Sequence, residues 1–383
     1  MYKHTQILRV GPLIILFIVN SPDFFVSHRL PIAVAAMRRG FVVHVASPNG
    51  LAAETIRRHG MVHHVISLSR SGRNPLREIS CFWSLLKLVY SIGPNIVHLV
   101  TLKPIVYGSL VCRLVGVGGV VAAFSGLGTV FVENRKSFTM LKKCIIALLR
   151  VGLSRNGTHL IFQNSDDYSL VQSVLGFDPS CVSIIKGSGV RLDDYRPTIE
   201  PAGAPTVTFA SRILKDKGVL EFVAAASILR SRGVVARFWL AGSVDRENIT
   251  SIPERKLDEW HRSGLVEVLG FQRDVESLLV QSNIIVLPSY REGLPKILIE
   301  AAACARPVVT TDVPGCRDSI VPNKTGLLVK AKDAEELANA IQVLVDNPEK
   351  RKSMGRAGRA WAESEFSIEK VVDAHLEIYS RFK

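Results

Sequence analysis

Two carboxylates, Glu292 and Glu300, stand eight positions apart around a glycine-containing turn. The apolar, β-branched residues 284–287 before the turn predict a buried strand, and Pro295 predicts the start of a helix after it. A helix start offers unpaired backbone N–H groups and a positive dipole end, which suits a diphosphate, and Gly293 allows a ligand to approach closely. Because Glu300 lies about two turns into this helix, its carboxylate could accept hydrogen bonds from a pair of sugar hydroxyls. The segment therefore predicts a nucleotide-sugar site.

A cluster of cations follows the predicted strand over residues 206–210. The loop after this strand carries Arg212 and Lys217, and a helix is predicted over residues 217–231. Cations are disfavoured at a helix start, because the helix dipole is positive there. In open α/β sheets, ligands bind beyond the carboxyl ends of the strands. We therefore expect Arg212 and Lys217 to face an anion.

The carboxylate segment resembles the E-x7-E motif of the retaining family 4 glycosyltransferases. The resemblance extends over Pro288-Ser289, Glu292-Gly293-Leu294-Pro295, Glu300-Ala301, Pro307-Val308-Val309-Thr310 and Gly326-Leu327-Leu328-Val329. It implies the GT-B fold, in which two Rossmann-like, doubly wound α/β domains face each other across a cleft. It also implies transfer of a sugar from a nucleotide diphosphate, with UDP as the expected nucleotide, retention at the anomeric carbon, and no metal ion or other cofactor.

The resemblance also implies roles for individual residues. Arg212 and Lys217 would clamp the donor diphosphate and steady the leaving nucleotide, and Glu292 would hold hydroxyls of the donor sugar. These three are the expected catalytic residues, while Glu300 would bind the ribose. The other expected donor-site residues are Gly293, Leu294 and Pro295 at the helix start, with Gly242 and Val275 in loops that would read the base.

The first half of the chain contains candidate acceptor contacts. Residues 20–29 lack the adjacent glycines of many family members, but they resemble, with residues 101–108 and 124–131, a branch that extends polyprenyl-diphosphate-linked sugars. The candidates are His28, Arg29, Lys103, Ser125, Gly126 and Gly128. A lone histidine such as His28 can instead serve as a structural hydrogen-bonding residue. NAD binding is not expected, since Phe131 replaces the third glycine of a dinucleotide fingerprint.

Continuously apolar strands alternate with helical patterns in two series, which predicts two parallel sheets covered on both faces. The first series opens with a strand over residues 12–20 and a helix over 27–39. Two prolines and no apolar period mark residues 191–204 as a linker. We predict an acceptor-binding Rossmann-like domain over 1–190 and a nucleotide-sugar-binding Rossmann-like domain over 205–365. A final helix within 366–383 is predicted to cross back to the first domain.

The net charge of +14 is concentrated in the first half. Residues 1–190 contain 20 Lys and Arg against 7 Asp and Glu, whereas residues 191–383 contain 28 against 27. Such a field suits nucleic acid, an anionic membrane surface or a phosphorylated substrate. Nucleic acid is not expected, because the basic residues form no helix-turn-helix, zinc-finger or aromatic-interleaved pattern. Residues 135–155 combine six basic residues with apolar ones, which fits an interfacial helix or a core-facing helix with a solvated basic side.

Cysteine spacing and hydropathy indicate the compartment. The six cysteines include no C-x-x-C pair, so a reducing compartment is expected. The apolar run over residues 13–19 is too short to span a membrane and lacks a signal-peptide cleavage pattern. We predict a cytoplasmic protein that associates peripherally with the cytoplasmic face of the inner membrane.

The sequence thus predicts a glycosyltransferase that moves a sugar from a UDP-sugar to a lipid-linked saccharide in O-antigen, capsule or related polysaccharide synthesis. Three alternatives remain open at this point: a glycosyltransferase with a soluble acceptor, a UDP-sugar epimerase of the same fold, and a non-catalytic nucleotide-sugar-binding protein.

Overall fold

The computed structural model describes residues 11–68, 75–127, 136–246 and 248–382. Contacts within the chain divide it into two compact units. The first unit comprises Met1–Ala123, Lys136–Leu160 and Ala374–Lys383, and the second comprises Phe124–Arg135 and Ile161–Asp373. The predicted domain boundaries at 190, 204 and 365 stay predictions. None of the helices within the described ranges has the length and apolar character needed to cross a bilayer.

Seven strands form the first sheet. They are β1 (Ile14–Ile18), β2 (Val42–Ser47), β3 (Val62–Val65), β4 (Ile96–Val100), β5 (Gly119–Phe124), β6 (Thr158–Phe162) and β7 (Val182–Ile184). Their order is β3-β2-β1-β4-β5-β6-β7, and β1 pairs in parallel with both β2 and β4. Every residue of β4 and β5 is buried, as expected of strands covered on both faces. The strand order reverses between β1 and β4, which opens a crevice at their carboxyl ends.

The helices that follow these strands are α1 (Pro22–His28), α2 (Leu30–Arg38), α3 (Ala52–Arg58), α4 (Pro75–Ile92), α5 (Leu102–Val115), α6 (Lys136–Leu153) and α7 (Ser165–Leu175). The helix predicted near residues 27–39 corresponds to α2, but the separate helix α1 before it is not predicted. Helix α1 begins early, since Ser21 Oγ accepts a hydrogen bond from the Phe24 N–H at 3.3 Å and Pro22 occupies the first turn. Pro31 lacks the N–H that an uninterrupted helix would need, so a second helix begins at Leu30 with Pro31 in its first turn.

Six strands form the second sheet. They are β8 (Thr206–Ala210), β9 (Arg237–Ala241), β10 (Glu267–Gly270), β11 (Ile284–Leu287), β12 (Val308–Thr311) and β13 (Gly326–Val329). All pairs are parallel, in the order β10-β9-β8-β11-β12-β13. The order reverses between β8 and β11, whose side chains Phe209 and Val286 are fully buried in the core of the second unit. The prediction of two doubly wound parallel sheets is confirmed.

The remaining helices are α8 (Val219–Ser231), α9 (Glu254–Arg262), α10 (Val275–Val280), α11 (Lys296–Ala303), α12 (Ala334–Val345), α13 (Pro348–Glu365) and α14 (Ile368–Ser380). Helix α13 packs closely on α11, because Gly355 lies where any side chain would overlap the Ala305 carbonyl. The packing of α13 therefore fixes the position of α11 in the second unit. Residues of α14 from Ala374 onward belong to the first unit, where the buried Tyr379 hydroxyl lies 2.5 Å from His98 Nδ1 on β4.

Candidate active site

The loops that follow β8 and β11 meet where the strand order of the second sheet reverses. The Tyr290 N–H donates a hydrogen bond to the Asp216 carbonyl at 2.9 Å. Gly218 has a φ of 74° and lies so close to Pro288 that a Cβ atom would overlap the Pro288 carbonyl. The cationic loop and the carboxylate-bearing loop therefore form one continuous surface, at the position where open α/β sheets bind ligands.

Glu292 lies on this surface and has two partners. Lys217 Nζ forms an ion pair with Glu292 Oε1, and Ser289 Oγ donates a hydrogen bond to the same oxygen at 2.7 Å. The Lys217 and Glu292 side chains are 16% and 13% exposed, so each is partly removed from water but open to a ligand. Burial, and then the charge of Glu292, raises the pKa of the Cys316 thiol to about 12, so this neighbour stays protonated at neutral pH. Two of the three predicted catalytic residues are thus brought together.

Arg212, the third predicted catalytic residue, lies on the β9 side of the same loop. Its Nη1 donates to Asp245 Oδ2 at 2.8 Å, and its side chain is 45% exposed. Gly242 directly follows β9, and its N–H donates a hydrogen bond to the Gly270 carbonyl at 2.8 Å. A Cβ atom on Gly242 would overlap the Ser211 carbonyl, so only glycine permits this close approach of the two backbones.

Val275 is the first residue of α10 and lies just beyond the carboxyl end of β10. The helix start is capped by Asp274, whose Oδ1 accepts a hydrogen bond from the Ser277 N–H at 3.0 Å. This places the Val275 backbone at a helix start on the predicted ligand-binding edge. Its role in reading the base stays a prediction.

Glu300 is only 4% exposed and is held by two side chains. Tyr195 Oη donates to Glu300 Oε1 at 2.8 Å, and Lys296 Nζ lies 3.0 Å from the same oxygen. Burial, and then the charge of Glu300, raises the pKa of Tyr195. The sequence reasoning missed both partners. Lys296 could have been found from its spacing of four residues on α11, but no local pattern indicates Tyr195.

Gly293, Leu294 and Pro295 form the turn into α11. A Cβ atom on Gly293 would lie 2.8 Å from the Gly126 nitrogen and would overlap the side chain of Gln163. Leu294 is 7% exposed, and Pro295 has a φ of −72° immediately before the first helical residue. The tight surroundings explain why position 293 is glycine, and Pro295 lies at the helix start as predicted.

Ser125 and Gly126, two predicted acceptor contacts, belong to the second unit and lie against this turn. Gly126 has a φ of 98°, and a Cβ atom on it would lie 3.3 Å from the Gly293 nitrogen. Gly128 lies outside the described residues. The structure therefore brings two of the acceptor candidates next to the donor-site turn, and their role as acceptor contacts stays a prediction.

Three basic acceptor candidates lie in the first unit, after β1 and β4. His28 stacks on the Phe24 ring at a centroid distance of 4.1 Å. Arg29 is 2% exposed, its Nη1 donates to the His28 carbonyl at 3.0 Å, and burial lowers its pKa to about 10. Lys103 Nζ lies 2.7 Å from Glu78 Oε1. Arg29 is enclosed whereas His28 and Lys103 are partly exposed, and the acceptor role of all three stays a prediction.

Two family models match the chain over separate segments. The model of Glycosyl transferases group 1 matches residues 193–361, and the model of Glycosyl transferase 4-like proteins matches residues 14–164. Together the two matches cover most of the chain, and both identify it as a glycosyltransferase. The first match contains Arg212, Lys217, Glu292 and Glu300, so the family assignment and the candidate site rest on the same segment. The predicted family and the predicted transferase activity are confirmed.

Curated relatives of this glycosyltransferase match most of its length. N,N'-diacetylbacillosaminyl-diphospho-undecaprenol alpha-1,3-N-acetylgalactosaminyltransferase of Campylobacter jejuni is 26% identical, over 98% of this chain and 99% of its own. UDP-Gal:alpha-D-GlcNAc-diphosphoundecaprenol alpha-1,3-galactosyltransferase of Escherichia coli is 25% identical, over 79% and 80% of the two chains.

Solved structures match the fold of the chain. A glycosyltransferase from Rickettsia africae has a TM-score of 0.76 at 18% identity, covering 97% of this chain and 99% of its own. Anabaena HepE in complex with UDP has a TM-score of 0.77 at 16% identity, covering 97% and 100%. These similarities confirm the predicted GT-B fold.

Proposed function

We propose that this glycosyltransferase moves a sugar from a UDP-sugar to a polyprenyl-diphosphate-linked saccharide in the synthesis of O-antigen, capsule or a related surface polysaccharide, with retention at the anomeric carbon. The observation that carries the proposal is the Lys217–Glu292 pair at the switch point of the second sheet, beside the start of α11. A cation there suits a diphosphate, and a carboxylate suits sugar hydroxyls. The names of the C. jejuni and E. coli relatives support the lipid-linked acceptor, and the E. coli name supports UDP.

In the proposed reaction, the bond between the anomeric carbon and the leaving phosphate oxygen breaks. The acceptor hydroxyl oxygen forms the new bond on the same face of the sugar, and its proton passes to the leaving phosphate. Lys217 and Arg212 stabilise the negative charge that develops on the nucleotide. Lys217 must then exchange the Glu292 carboxylate for a phosphate oxygen. Glu292 accepts hydrogen bonds from the sugar in return, and Glu300 binds the ribose.

A lipid-linked acceptor requires access to a membrane, and helix α4 offers a suitable surface. An apolar stripe of exposed side chains follows one side of this helix: Leu76 (76% exposed), Ile79 (56%), Trp83 (56%) and Tyr90 (78%). The opposite side is buried through Cys81, Leu85 and Val89. Spacings of three, four and seven residues place the exposed side chains on one face. Helix α4 is thus apolar both toward the core and toward the solvent.

Helix α6 has the same two-sided character, and it packs with α4 against α5. Its exposed apolar side chains are Met140, Leu141, Leu148 and Val151, whereas Leu149 and Leu153 are buried. The core-facing and interfacial interpretations of residues 135–155 are therefore compatible. One side of the helix packs in the core, and another side is available to a membrane interface. We call the exposed side chains of α4 and α6 the α4–α6 surface.

Charge favours an anionic bilayer as the partner of the α4–α6 surface. Helices α4, α5 and α6 contain eight Lys and Arg residues and one acidic residue, Glu78, which pairs with Lys103. Tryptophan and tyrosine among basic residues are typical of segments that lie in the membrane interface. The proposal therefore places the protein peripherally on the cytoplasmic face of the inner membrane, in contact through the α4–α6 surface.

The donor proposal is tested by thermal unfolding of the purified protein with UDP, GDP, ADP or NAD. A ligand at a hundred times its Kd should stabilise the protein by about 2.7 kcal/mol. Stabilisation by UDP alone, lost in Arg212→Ala, is expected. Transfer from UDP-sugars to an undecaprenyl-diphosphate-linked saccharide is then assayed directly. Turnover of a UDP-sugar without any acceptor would support an epimerase instead, and UDP binding without turnover of any kind would support a binding protein.

The membrane proposal is tested by co-sedimentation with vesicles of phosphatidylglycerol and phosphatidylcholine at low and high salt. The double variant Trp83→Ala/Tyr90→Ala should sediment less than the unaltered protein, and high salt should release both. Val343→Ala, which removes an exposed apolar side chain from α12, is the matched control and should behave as the unaltered protein. Equal sedimentation of the double variant and the control would refute the α4–α6 surface without affecting the donor proposal.

A further inference from the structure

Asn164 connects the start of α7 to the turn that carries Glu292, and it is only 2% exposed. Its Oδ1 accepts a hydrogen bond from the Asp167 N–H at 2.7 Å and so caps α7. Its Nδ2 donates a hydrogen bond to the Gly293 carbonyl at 2.7 Å. A cap uses only the side-chain oxygen, and aspartate or serine would supply one equally well. The amide nitrogen therefore provides something that capping does not require.

We infer that Asn164 is a positioning residue for the donor diphosphate, and that it acts through the peptide bond between Gly293 and Leu294. The inference rests on the proposed function. In a trans peptide the carbonyl and the N–H point in opposite directions, and none of the described residues has a cis peptide. Because Asn164 holds the Gly293 carbonyl, the Leu294 N–H points away from Asn164.

The direction of the Leu294 N–H matters because of the residue that follows it. Pro295 has no N–H, so Leu294 carries the last backbone donor before the first helical residue of α11. Backbone donors at a helix start are what a phosphate binds. Glu292, in the same turn, is proposed to hold the sugar, and the sugar is bonded to the distal phosphate of the donor. The inference therefore assigns the Leu294 N–H to the distal phosphate.

The surroundings restrict how else the turn can move. Arg291, the residue before Glu292, forms an ion pair with Asp167, which is fully buried on α7. On the other side, the Gly126 backbone is so close that a Cβ atom added to Gly293 would lie only 2.8 Å from the Gly126 nitrogen. The turn as a whole is thus fixed from both sides. Glycine permits rotation of its adjoining peptides, so rotation of the 293–294 peptide is the movement that the Asn164 amide prevents.

The test uses titration calorimetry of the full chain with UDP and with UMP, which lacks the distal phosphate. Asn164→Asp and Asn164→Ser both keep an oxygen that can cap α7, but Asp has no donor and Ser is too short to reach the Gly293 carbonyl. We expect either variant to weaken UDP binding by about tenfold or more, the effect of a lost hydrogen bond to a charged group. The Kd for UMP should change less than about twofold, because UMP has no distal phosphate to contact the Leu294 N–H.

Asn347→Ala is the matched control for the loss of a helix cap. Asn347 Oδ1 accepts a hydrogen bond from the Lys350 N–H at 2.9 Å at the start of α13, in the same unit but outside the site. This variant should lose thermal stability and bind UDP as the unaltered protein does. If Asn164→Asp fails to fold, Asn164→Ser decides the question.

Two results would overturn the inference: unaltered UDP binding in the Asn164 variants, or equal losses of UDP and UMP binding, which would indicate a general distortion of the site. If the unaltered protein does not bind UDP at all, the proposed function fails, and the inference fails with it.

Discussion

Removing Lys217 should weaken UDP binding, whereas removing the charge of Glu292 should not. Lys217→Met removes the cation proposed for the diphosphate and leaves the Glu292 carboxylate with Ser289 as its remaining partner. Glu292→Gln removes the carboxylate that competes with the ligand for Lys217. We therefore expect Lys217→Met to weaken UDP binding. Glu292→Gln should keep or strengthen UDP binding while it abolishes sugar transfer.

The magnitude follows from charge and distance. An ammonium and a phosphate charge about 3 Å apart attract each other by about 5 kcal/mol at an effective dielectric constant of about 20. Desolvation offsets part of this attraction, which leaves about 1.5–3 kcal/mol for a hydrogen bond to a charged group. Lys217→Met should thus raise the Kd for UDP about 10- to 150-fold. The gain in Glu292→Gln should be no more than about fivefold, because a partly exposed ion pair contributes at most about 1 kcal/mol.

Titration calorimetry with UDP on the two single variants and the double variant separates two roles of Lys217. If Lys217 binds phosphate, the double variant Lys217→Met/Glu292→Gln should bind UDP as weakly as Lys217→Met does. If Lys217 only neutralises Glu292, the double variant regains the affinity of the unaltered protein, and the reasoning is refuted. Lys215→Met is the matched control, because Lys215 is an exposed lysine of the same loop, and it should leave UDP affinity unchanged.

Three further predictions concern the supports of the site and the core. Tyr195→Phe removes a hydrogen bond to the buried Glu300 carboxylate. The free energy of unfolding in urea should therefore fall by about 1–3 kcal/mol, and calorimetry should show weaker UDP binding. Unchanged values would contradict the supporting role assigned to Tyr195. Gly315→Ala and Gly40→Ala both place a side chain at a positive φ, 80° and 88° respectively. Only the Cβ atom at position 315 overlaps the backbone of the Glu292 turn. Sugar transfer should therefore be lost in Gly315→Ala and retained in Gly40→Ala. Burial, and then the nearby Arg381, lowers the pKa of His159 to about 4. Since the unfolded chain binds a proton near pH 6.5, stability should fall as the pH drops from about 7 to about 4, and His159→Asn should reduce this dependence in urea unfolding.

The sequence predicted the second sheet and the turn before α11 well, because the relevant signals are local. Glycine and proline define the turn before α11, and the apolar run of β11 matches its predicted range of residues 284–287. Lys217 and Glu292 were predicted for separate roles, and their pairing could not be read from the sequence. It depends on β8 and β11 being neighbours in the sheet, which is a property of strand order.

The supports of the site were not predictable in the same way. Tyr195 and Asn164 contact Glu300 and Gly293 across 105 and 129 positions, and neither has a local pattern that points to its partner. Asn164 does have the local pattern of a helix cap, but this pattern explains only its hydrogen bond from the Asp167 N–H and not the one to the Gly293 carbonyl. In the first half of the chain, the helix predicted near residues 27–39 matches α2, whereas α1 is not predicted although Ser21 and Pro22 are a local signal for its start.

The pairing of Lys217 with Glu292 has a consequence for competition among cellular anions. Because a carboxylate already neutralises the lysine, inorganic phosphate or a nucleoside triphosphate can gain the cation only by leaving Glu292 without its counter-charge. In the proposed site, a nucleotide sugar would supply an anion to Lys217 and hydroxyls to Glu292 at the same time, so both side chains would keep a partner. If these roles hold, the Lys217–Glu292 ion pair favours a ligand that carries a charge and hydroxyls on adjacent groups over a free nucleotide or inorganic phosphate.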